Sequence, residues 1–448
     1  MIAVLIALIM SGRVSPVIAL ILTPTVFGVM AGFGIGLGPM MLKGVQQLTP
    51  TAVMLGFAIL YFGVMVDAGL FDPLVSFVVR AVHGDPVRII LGSAVLALAL
   101  SLDGNGATAY IICSSAMVPL YKRTGLDPLI LACISVLSIS IGHVTPWAGP
   151  TARLGAVLGV ETNAIYVPLI PAMALGAASV LLLAYYFGLR ERRRLQQAAS
   201  QMSTEAQVLE QETLFDPAAK RPRLYGLNLI ITAVLLLGLV QNLVPLPVVF
   251  MIAAAIVLQI NYPSLKDQRA RFIAHAPNIF RVTSITFGAG IFLGVLQGTG
   301  MNDALAASVA SAIPTSAGPY MALIAVGTSL PFYYFTSNDG FFFGVLPVLA
   351  KTASQYGINP VEMARAATIG APVNLLSPLA ASTYVLVSMV GISYSQLQRF
   401  TLKWALLLSL ILLVGAILTS VIPVHGPGAG SYSTQHIKLS PSSHSAKG

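Results

Sequence analysis

Charge is what this sequence has least of. Only 9% of its 448 residues are Asp, Glu, Lys or Arg, against about a quarter in a soluble domain. So few charges cannot coat a water-facing surface, which excludes a soluble fold. Cysteine is nearly absent as well. Cys113 and Cys133 sit inside apolar stretches without metal-ligand spacing, which points to small core residues rather than a disulfide framework or a metal centre. HExxH, paired-Asp and Ser/Lys constellations at helical spacing are also missing, which argues against a membrane-embedded metal-dependent enzyme. Before the apolar run at residues 1–10 there is no basic segment, and after it no small-residue cleavage site. That run reads as a short first span and not a signal peptide.

What is present is hydrophobicity: 56% of residues, with a mean hydropathy of +0.85. Lys and Arg exceed Asp and Glu by 24 to 15, but they stand at the ends of apolar segments rather than forming a face. This distribution excludes a nucleic-acid partner and follows the positive-inside pattern. The chain is predicted to be an all-α polytopic membrane protein.

A helix needs about 20 apolar residues to cross a bilayer, which predicts spans near 14–36, 51–70, 163–188, 224–242, 245–261, 282–299 and 400–422. Two regions break the pattern. Apolar arms at 87–101 and up to 121 flank Leu102-Asp-Gly-Asn-Gly106, and arms at 320–335 and 341–353 flank Thr336-Ser-Asn-Asp-Gly340. Each arm of the first would rise only about 22 Å at 1.5 Å per residue, so both regions read as re-entrant hairpins with polar tips near the midplane. Each hairpin precedes an apolar stretch interrupted in its middle, at Thr145-Pro-Trp-Ala-Gly-Pro-Thr151 and at Ser377-Pro-Leu-Ala-Ala-Ser-Thr383. Proline removes a backbone donor and clashes with the preceding turn, so these are predicted to be discontinuous helices.

The two regions superpose without gaps at a spacing of 232. Gly125, Pro128, Ala132, Pro146, Ala148, Thr151, Leu154 and Gly159 fall on Gly357, Pro360, Ala364, Pro378, Ala380, Thr383, Leu386 and Gly391. Upstream, at a spacing of 231, Gly63, Gly69, Asp72 and Leu74 fall on Gly294, Gly300, Asp303 and Leu305. The first half counts three spans, a surface helix near 72–83, a hairpin, a broken helix and a span ending at Arg190. Five crossings are odd, so the repeat is inverted, the arrangement of secondary transporters that bind at the midplane. The predicted organisation is a first repeat over 1–190, a cytoplasmic linker over 191–223, a second repeat over 224–422, and a disordered Gly/Ser/His-rich tail over 423–448. Setting Arg190 to Arg194 inside leaves 18 Lys and Arg cytoplasmic against 4 outside, with both termini outside.

Deep in the apolar regions lie only three acidic residues: Asp67 near the end of a span, and Asp103 and Asp339 at the tips. A charge at the bilayer centre costs roughly 2.5–3.5 kcal/mol on insertion scales, so each needs a compensating role. N-capping of the following helices is one such role, but it leaves Asn105, Ser337 and Asn338 unexplained. Helix N-termini at tips and breaks favour carboxylate or phosphate oxygens. Donors are supplied by Asn105, Gly106, Thr108, Thr145, Thr151, Ser337, Asn338, Ser377, Ser382 and Thr383. The pattern predicts a site for a small polyoxygenated anion. Two aspartates would repel that anion, so protons or cations must enter with it, on Asp103 and Asp339 or as metal carried by the substrate. His143 reads as a proton relay or, more readily, as a hydrogen-bonded structural histidine. Arg153 would pair with a substrate carboxylate or snorkel to the surface, Asn374 would face the site from its break, and the aromatic runs Phe332 to Phe335 and Phe341 to Phe343 would serve packing or lipid contact.

The stretch Ser101-Leu-Asp-Gly-Asn-Gly-Ala-Thr108, the segment Thr145-Pro-Trp-Ala-Gly-Pro-Thr-Ala-Arg153 and the segment Ser337-Asn-Asp-Gly-Phe-Phe-Phe-Gly-Val-Leu-Pro347, together with residues 57–72, resemble the citrate-metal ion:proton symporter family. The likeness covers roughly residues 14–422. It departs from the family pattern at Asn105, where that pattern carries a second aspartate. The resemblance implies a bacterial plasma-membrane carrier of citrate complexed with a divalent ion of the Mg or Ca type, driven by protons, with no resident cofactor. The wider ion transporter superfamily implies a homodimer with an elevator-type scaffold and a moving transport domain that holds both hairpins. Alternatives are a proton- or sodium-coupled carrier of free di- or tricarboxylates and, in another class, an ion channel.

Overall fold

The computed structural model describes residues 1–426 except 2–3, 6, 9–13, 83, 105, 200–218, 242–243, 302–303, 305–313, 315, 336–337 and 378–379. The N-terminal run, the middle of the linker and the tail beyond 426 are thus largely outside it. Among the described residues the regular structure is helical and contains no strand.

The first half runs through α1 (Pro16–Met30), α2 (Leu37–Asp67), α3 (Asp72–Ala81), α4 (Pro86–Leu100), α5 (Gly106–Thr124), α6 (Pro128–Gly142), α7 (Gly149–Leu158) and α8 (Thr162–Ala199). The second runs through α9 (Tyr225–Gln241), α10 (Leu246–Asn261), α11 (Leu265–Gly298), α12 (Met321–Phe335), α13 (Asn338–Gly344), α14 (Leu346–Ser354), α15 (Pro360–Thr368), α16 (Ala371–Asn374), α17 (Ala381–Val390) and α18 (Tyr394–Leu418). Among the described residues, five segments are long and apolar enough to cross a membrane, including Gly34–Asp67, Thr162–Gln197, Leu265–Gly298 and Tyr394–Leu418.

The spacing seen in the sequence recurs in the backbone. Helices α6, α7 and α8 begin at 128, 149 and 162, and α15, α17 and α18 begin at 360, 381 and 394, each 232 residues later. Asp127 caps α6 through its side chain and Asn359 caps α15 likewise, each satisfying free N–H groups of the first turn. Gly125, Gly159 and Gly69 have positive φ, as do their counterparts Gly357, Gly391 and Gly300. Packing is reciprocal across the halves. Helix α1 lies on α11 and α10 on α2; α6 lies on α18 and α15 on α8; α2 meets α11, and α8 meets α18.

Two bodies emerge from this packing. Around the crossing of α2 and α11 the backbones nearly touch: a Cβ added at Gly44 would lie 2.0 Å from the Gly290 carbonyl oxygen, and one at Gly294 would lie 2.2 Å from that of Met40. Small residues allow such an approach where no apolar contrast with lipid drives association. Helices α9 and α10 join α2 through a core of Tyr61, Phe62, Phe250 and Val257, with Tyr61 hydrogen-bonded to Thr232 at 2.9 Å. The second body holds both hairpins, both broken helices, α8 and α18 in one continuous core. Trp147, from the first break, inserts into the first body against Phe62 and Phe250, with ring centroids 6.3 and 6.2 Å away.

Several boundaries differ from expectation. Helices α2 and α11 begin at 37 and 265 rather than near 51 and 282, because exposed polar residues in the added stretches, among them Lys43, Gln46, Gln47, Lys266 and Arg269, lower the hydropathy without ending the helix. The first hairpin arm with its 3-10 turn forms an 18-residue span, Pro86–Asp103, so length alone does not make it re-entrant. The fold-back rests on pairing: Ser93 meets both Cys113 and Tyr121 of α5. Helix α8 continues to Ala199, past Arg190. The end of the linker is tied down, with the Arg221 amide donating to the Ala68 carbonyl, its guanidinium to the Asn261 carbonyl, and the Tyr262 hydroxyl to the Ala219 carbonyl. Of the tail, Gly426 bonds back to Pro319.

Candidate functional site

At the first tip the chain leaves α4 through a 3-10 turn, Ser101–Asp103, and reverses at Gly104 with φ +71°. This tip is pressed into the first break. A Cβ on Gly142 would lie 2.2 Å from the Ser101 carbonyl oxygen, and one on Gly104 would lie 3.1 Å from Ala148 Cα. The position of a Cβ on Gly106 is 3.0 Å from His143 Nε2. The Trp147 indole donates to the Leu102 carbonyl at 2.8 Å, fixing break to tip, and the Asp103 side chain is buried at the turn.

Within that break, Thr145 donates to the Gly142 carbonyl at 2.8 Å and Thr151 to the His143 carbonyl at 3.1 Å. These side chains satisfy orphan carbonyls at the end of α6. Arg153 folds back toward the start of α7: its Nη1 is 3.2 Å from the position of a Cβ on Gly149. The guanidinium therefore lies beside the break.

Around the second tip, Tyr333 packs edge-on against Phe341 and Phe342 and donates its hydroxyl to the Ala367 carbonyl at 2.7 Å. Asn338 opens α13 and is buried. In the second break the Thr383 hydroxyl donates to the Leu375 carbonyl at 2.6 Å. This is the same bond as Thr151 to His143, 232 residues on. Gln398 donates to the Leu376 carbonyl at 2.8 Å, and the Tyr394 hydroxyl donates to that of Ser377. Three successive carbonyls of this break are thus capped by side chains from α17 and α18.

A narrow pocket lies where these parts meet. His143 and Thr151 reach it from the first break, Asn338 and Phe342 from the second hairpin, and Thr368 and Asn374 from the second broken helix. Of the residues expected from sequence, Thr151, Asn338 and Asn374 come together here. Thr145 is buried behind, its hydroxyl turned to Gly142. Gly106 borders His143 through the first tip, while Thr108, Ser382 and Thr383 lie on α5 and α17, which pack together. Asn105, Ser337 and the side chain of Asp339 lie outside the described residues. Asp67 is not at the site; its carboxylate binds Arg271 and His275, each at 2.9 Å, at the far end of α2.

Sequence reasoning overlooked Thr368, whose hydroxyl bonds to the Arg365 carbonyl at 2.7 Å, and nothing in its local pattern marks it. It also favoured a hydrogen-bonded His143. Both ring nitrogens are instead buried without a hydrogen-bond partner among the described residues. No group of three His, Cys, Asp or Glu residues among the described residues is placed to hold a metal ion.

The model of the citrate transporter family matches residues 2–370. The chain belongs to this family. It is a multi-pass membrane transporter and not an enzyme, as the tip and break motifs imply. A citrate transporter of Bacillus subtilis is 47% identical over 425 residues, covering 94% of this chain and 98% of the relative. The Mg(2+)/citrate complex secondary transporter of the same organism is 44% identical over 427 residues, with the same coverage. Among solved structures, the YdaH transporter of Alcanivorax borkumensis aligns with a TM-score of 0.62 at 17% identity, over 86% of this chain and 88% of its own. MtrF of Neisseria gonorrhoeae aligns at 0.56 and 14%, over 88% and 87%. These two share the all-helical transporter fold.

Proposed function

We propose that this secondary transporter carries citrate complexed with a divalent cation of the Mg or Ca type, in symport with protons. The observation that carries the reading is the pocket itself. His143 of the first break, Asn338 of the second tip and Asn374 of the second broken helix, all neutral and able to donate, line one narrow pocket, with Arg153 folded back on the start of α7. Neutral donors suit a ligand whose charge is already partly cancelled by metal, because a trianion would call for paired cations. The 44% identity to a Mg(2+)/citrate complex secondary transporter supports the same reading.

Asp103 and Asp339 serve as the proton-coupling or metal-facing groups, and Asn105, Gly106, Thr108, Ser337, Ser377 and Ser382 complete the substrate surface as the tips move. The two halves are inverted repeats with both termini outside, in a bacterial plasma membrane and in a homodimer. The α2–α11 body acts as scaffold, and the hairpin body moves against it.

Uptake of labelled citrate into cells or liposomes, with Mg, with Ca and with a chelator, tests the substrate. Uptake that rises on metal removal would overturn the metal-complex reading in favour of a free di- or tricarboxylate carrier. A protonophore should collapse accumulation while sodium removal leaves it intact. Asp339→Asn should abolish coupled uptake at normal membrane levels, and wild-type transport in that variant would remove the residue from the mechanism.

A further inference from the structure

We infer that His143 reads the hydroxyl group of the substrate, separating a hydroxy-tricarboxylate from the same skeleton without it; this rests on the citrate-transport reading. Both imidazole nitrogens are buried and unpartnered among the described residues, although the ring lines the pocket between the two breaks. Buried polar groups are nearly always paired, so a ring left open on both sides is a vacancy in the hydrogen-bonding pattern that a ligand can fill.

The chemistry of the vacancy selects the ligand. A neutral imidazole presents one N–H donor and one lone pair. A carboxylate offers only acceptors, so it satisfies the N–H and leaves the other nitrogen open; a hydroxyl also donates. The hydroxyls around the ring cannot take that role, because each has one proton and each is turned to a backbone carbonyl. Thr151 donates to His143 itself, Thr145 to Gly142, Thr368 to Arg365 and Tyr333 to Ala367. Arg153 is close enough for its charge to act on the ring, so positive charge for carboxylates is already present. What the imidazole adds is direction. At the repeat-equivalent position the chain has Leu375, so this feature occurs once.

The test compares the full-length wild type with His143→Leu and His143→Gln in proteoliposomes. It measures uptake of labelled citrate with Mg and its competition by propane-1,2,3-tricarboxylate, which lacks the hydroxyl. In the wild type the competitor should bind at least about tenfold more weakly, since a site built to pair a hydroxyl rejects the analogue without it. His143→Leu should raise the KM for citrate about tenfold, with maximal rate and membrane level kept, and reduce the discrimination to within about threefold. His143→Gln, which keeps a donor and an acceptor, should retain part of it. An unchanged citrate-to-analogue ratio in His143→Leu overturns the inference, as does an equal loss of maximal rate in both variants. Wild-type protein that takes up no citrate refutes the transport reading instead. Modification of His143 by diethylpyrocarbonate, mapped by mass spectrometry, then decides the inference by itself: protection by citrate but not by the analogue supports it, and equal or absent protection overturns it.

Discussion

The bond that closes the second break can be tested by one substitution. Thr383 is fully buried and its hydroxyl donates at 2.6 Å to the carbonyl of Leu375, itself 2% exposed. Thr383→Val removes the donor at nearly constant volume and leaves that buried carbonyl without this bond. Leaving a buried acceptor unsatisfied costs about 1–3 kcal/mol. At roughly 2–4 °C per kcal/mol for chains of 150–250 residues, and less for longer ones, the melting temperature of the detergent-purified protein should fall by a few degrees. Thr383→Ser keeps the hydroxyl and loses one methyl, about 0.8 kcal/mol, so it should be the milder change. Thr151→Val removes the equivalent bond, at 3.1 Å, to a carbonyl beside the pocket, and should cost less than Thr383→Val. Thermal unfolding followed by size-exclusion chromatography ranks the three variants. If serine proves as damaging as valine at 383, the hydroxyl does not hold the break and the reasoning fails.

Gly142→Ala would drive a Cβ to 2.2 Å from the Ser101 carbonyl oxygen, wedging the first tip off its break; uptake assays should show a near-complete loss of transport. Gly294→Ala would place a Cβ 2.2 Å from the Met40 carbonyl oxygen, backbone against backbone, whereas at Gly56 the nearest atoms are side-chain methyls at 3.5 Å. The first should destabilise by about 1–3 kcal/mol or more and Gly56→Ala should be near neutral, a contrast that thermal unfolding reads directly. Asp67→Asn removes the carboxylate shared by Arg271 and His275, whose side chains are 13% and 15% exposed. Losing this charge-assisted pairing should cost about 1.5–3 kcal/mol, seen as lower yield and melting temperature with the KM for citrate unchanged.

Much of this fold was legible because its interruptions are written in backbone chemistry. Proline and glycine act on their own peptide units, so Pro128 and Pro360, or Gly159 and Gly391, announce helix starts and stops without tertiary context. The sequence spacing of 232 therefore matches helix starts residue for residue. Hydropathy failed at the starts of α2 and α11, because the exposed polar residues there, such as Lys43, Gln46, Lys266 and Arg269, lower the average without ending the helix. Within the site, the polar types at tips and breaks were readable, but their partners were not. Gln398 and Tyr394 reach the second break from a different helix, and Asp67 finds Arg271 across 204 residues. No local pattern encodes such pairings.

The repeat divides its residues into two sets, those present in both halves and those present in one. Pro146, Ala148, Thr151 and Leu154 reappear as Pro378, Ala380, Thr383 and Leu386, whereas His143, Trp147 and Arg153 face Leu375, Leu379 and Val385. The first set makes and holds a break: a proline to interrupt the helix, a threonine to cap the carbonyl left behind. Any discontinuous helix in this fold needs those residues, so both halves keep them. The second set supplies hydrogen bonding, an aromatic anchor and charge, and it occurs only in the first half. At the second break the carbonyls of Leu375, Leu376 and Ser377 are all capped by the protein's own side chains, while at the first the ring of His143 stays open. Duplicated geometry with single chemistry gives one polar locus between two hairpins rather than two equivalent sites. On the proposed reading, a small anion bound there would touch the first break, the second tip and the second broken helix together, so that parts of both repeats would share one ligand.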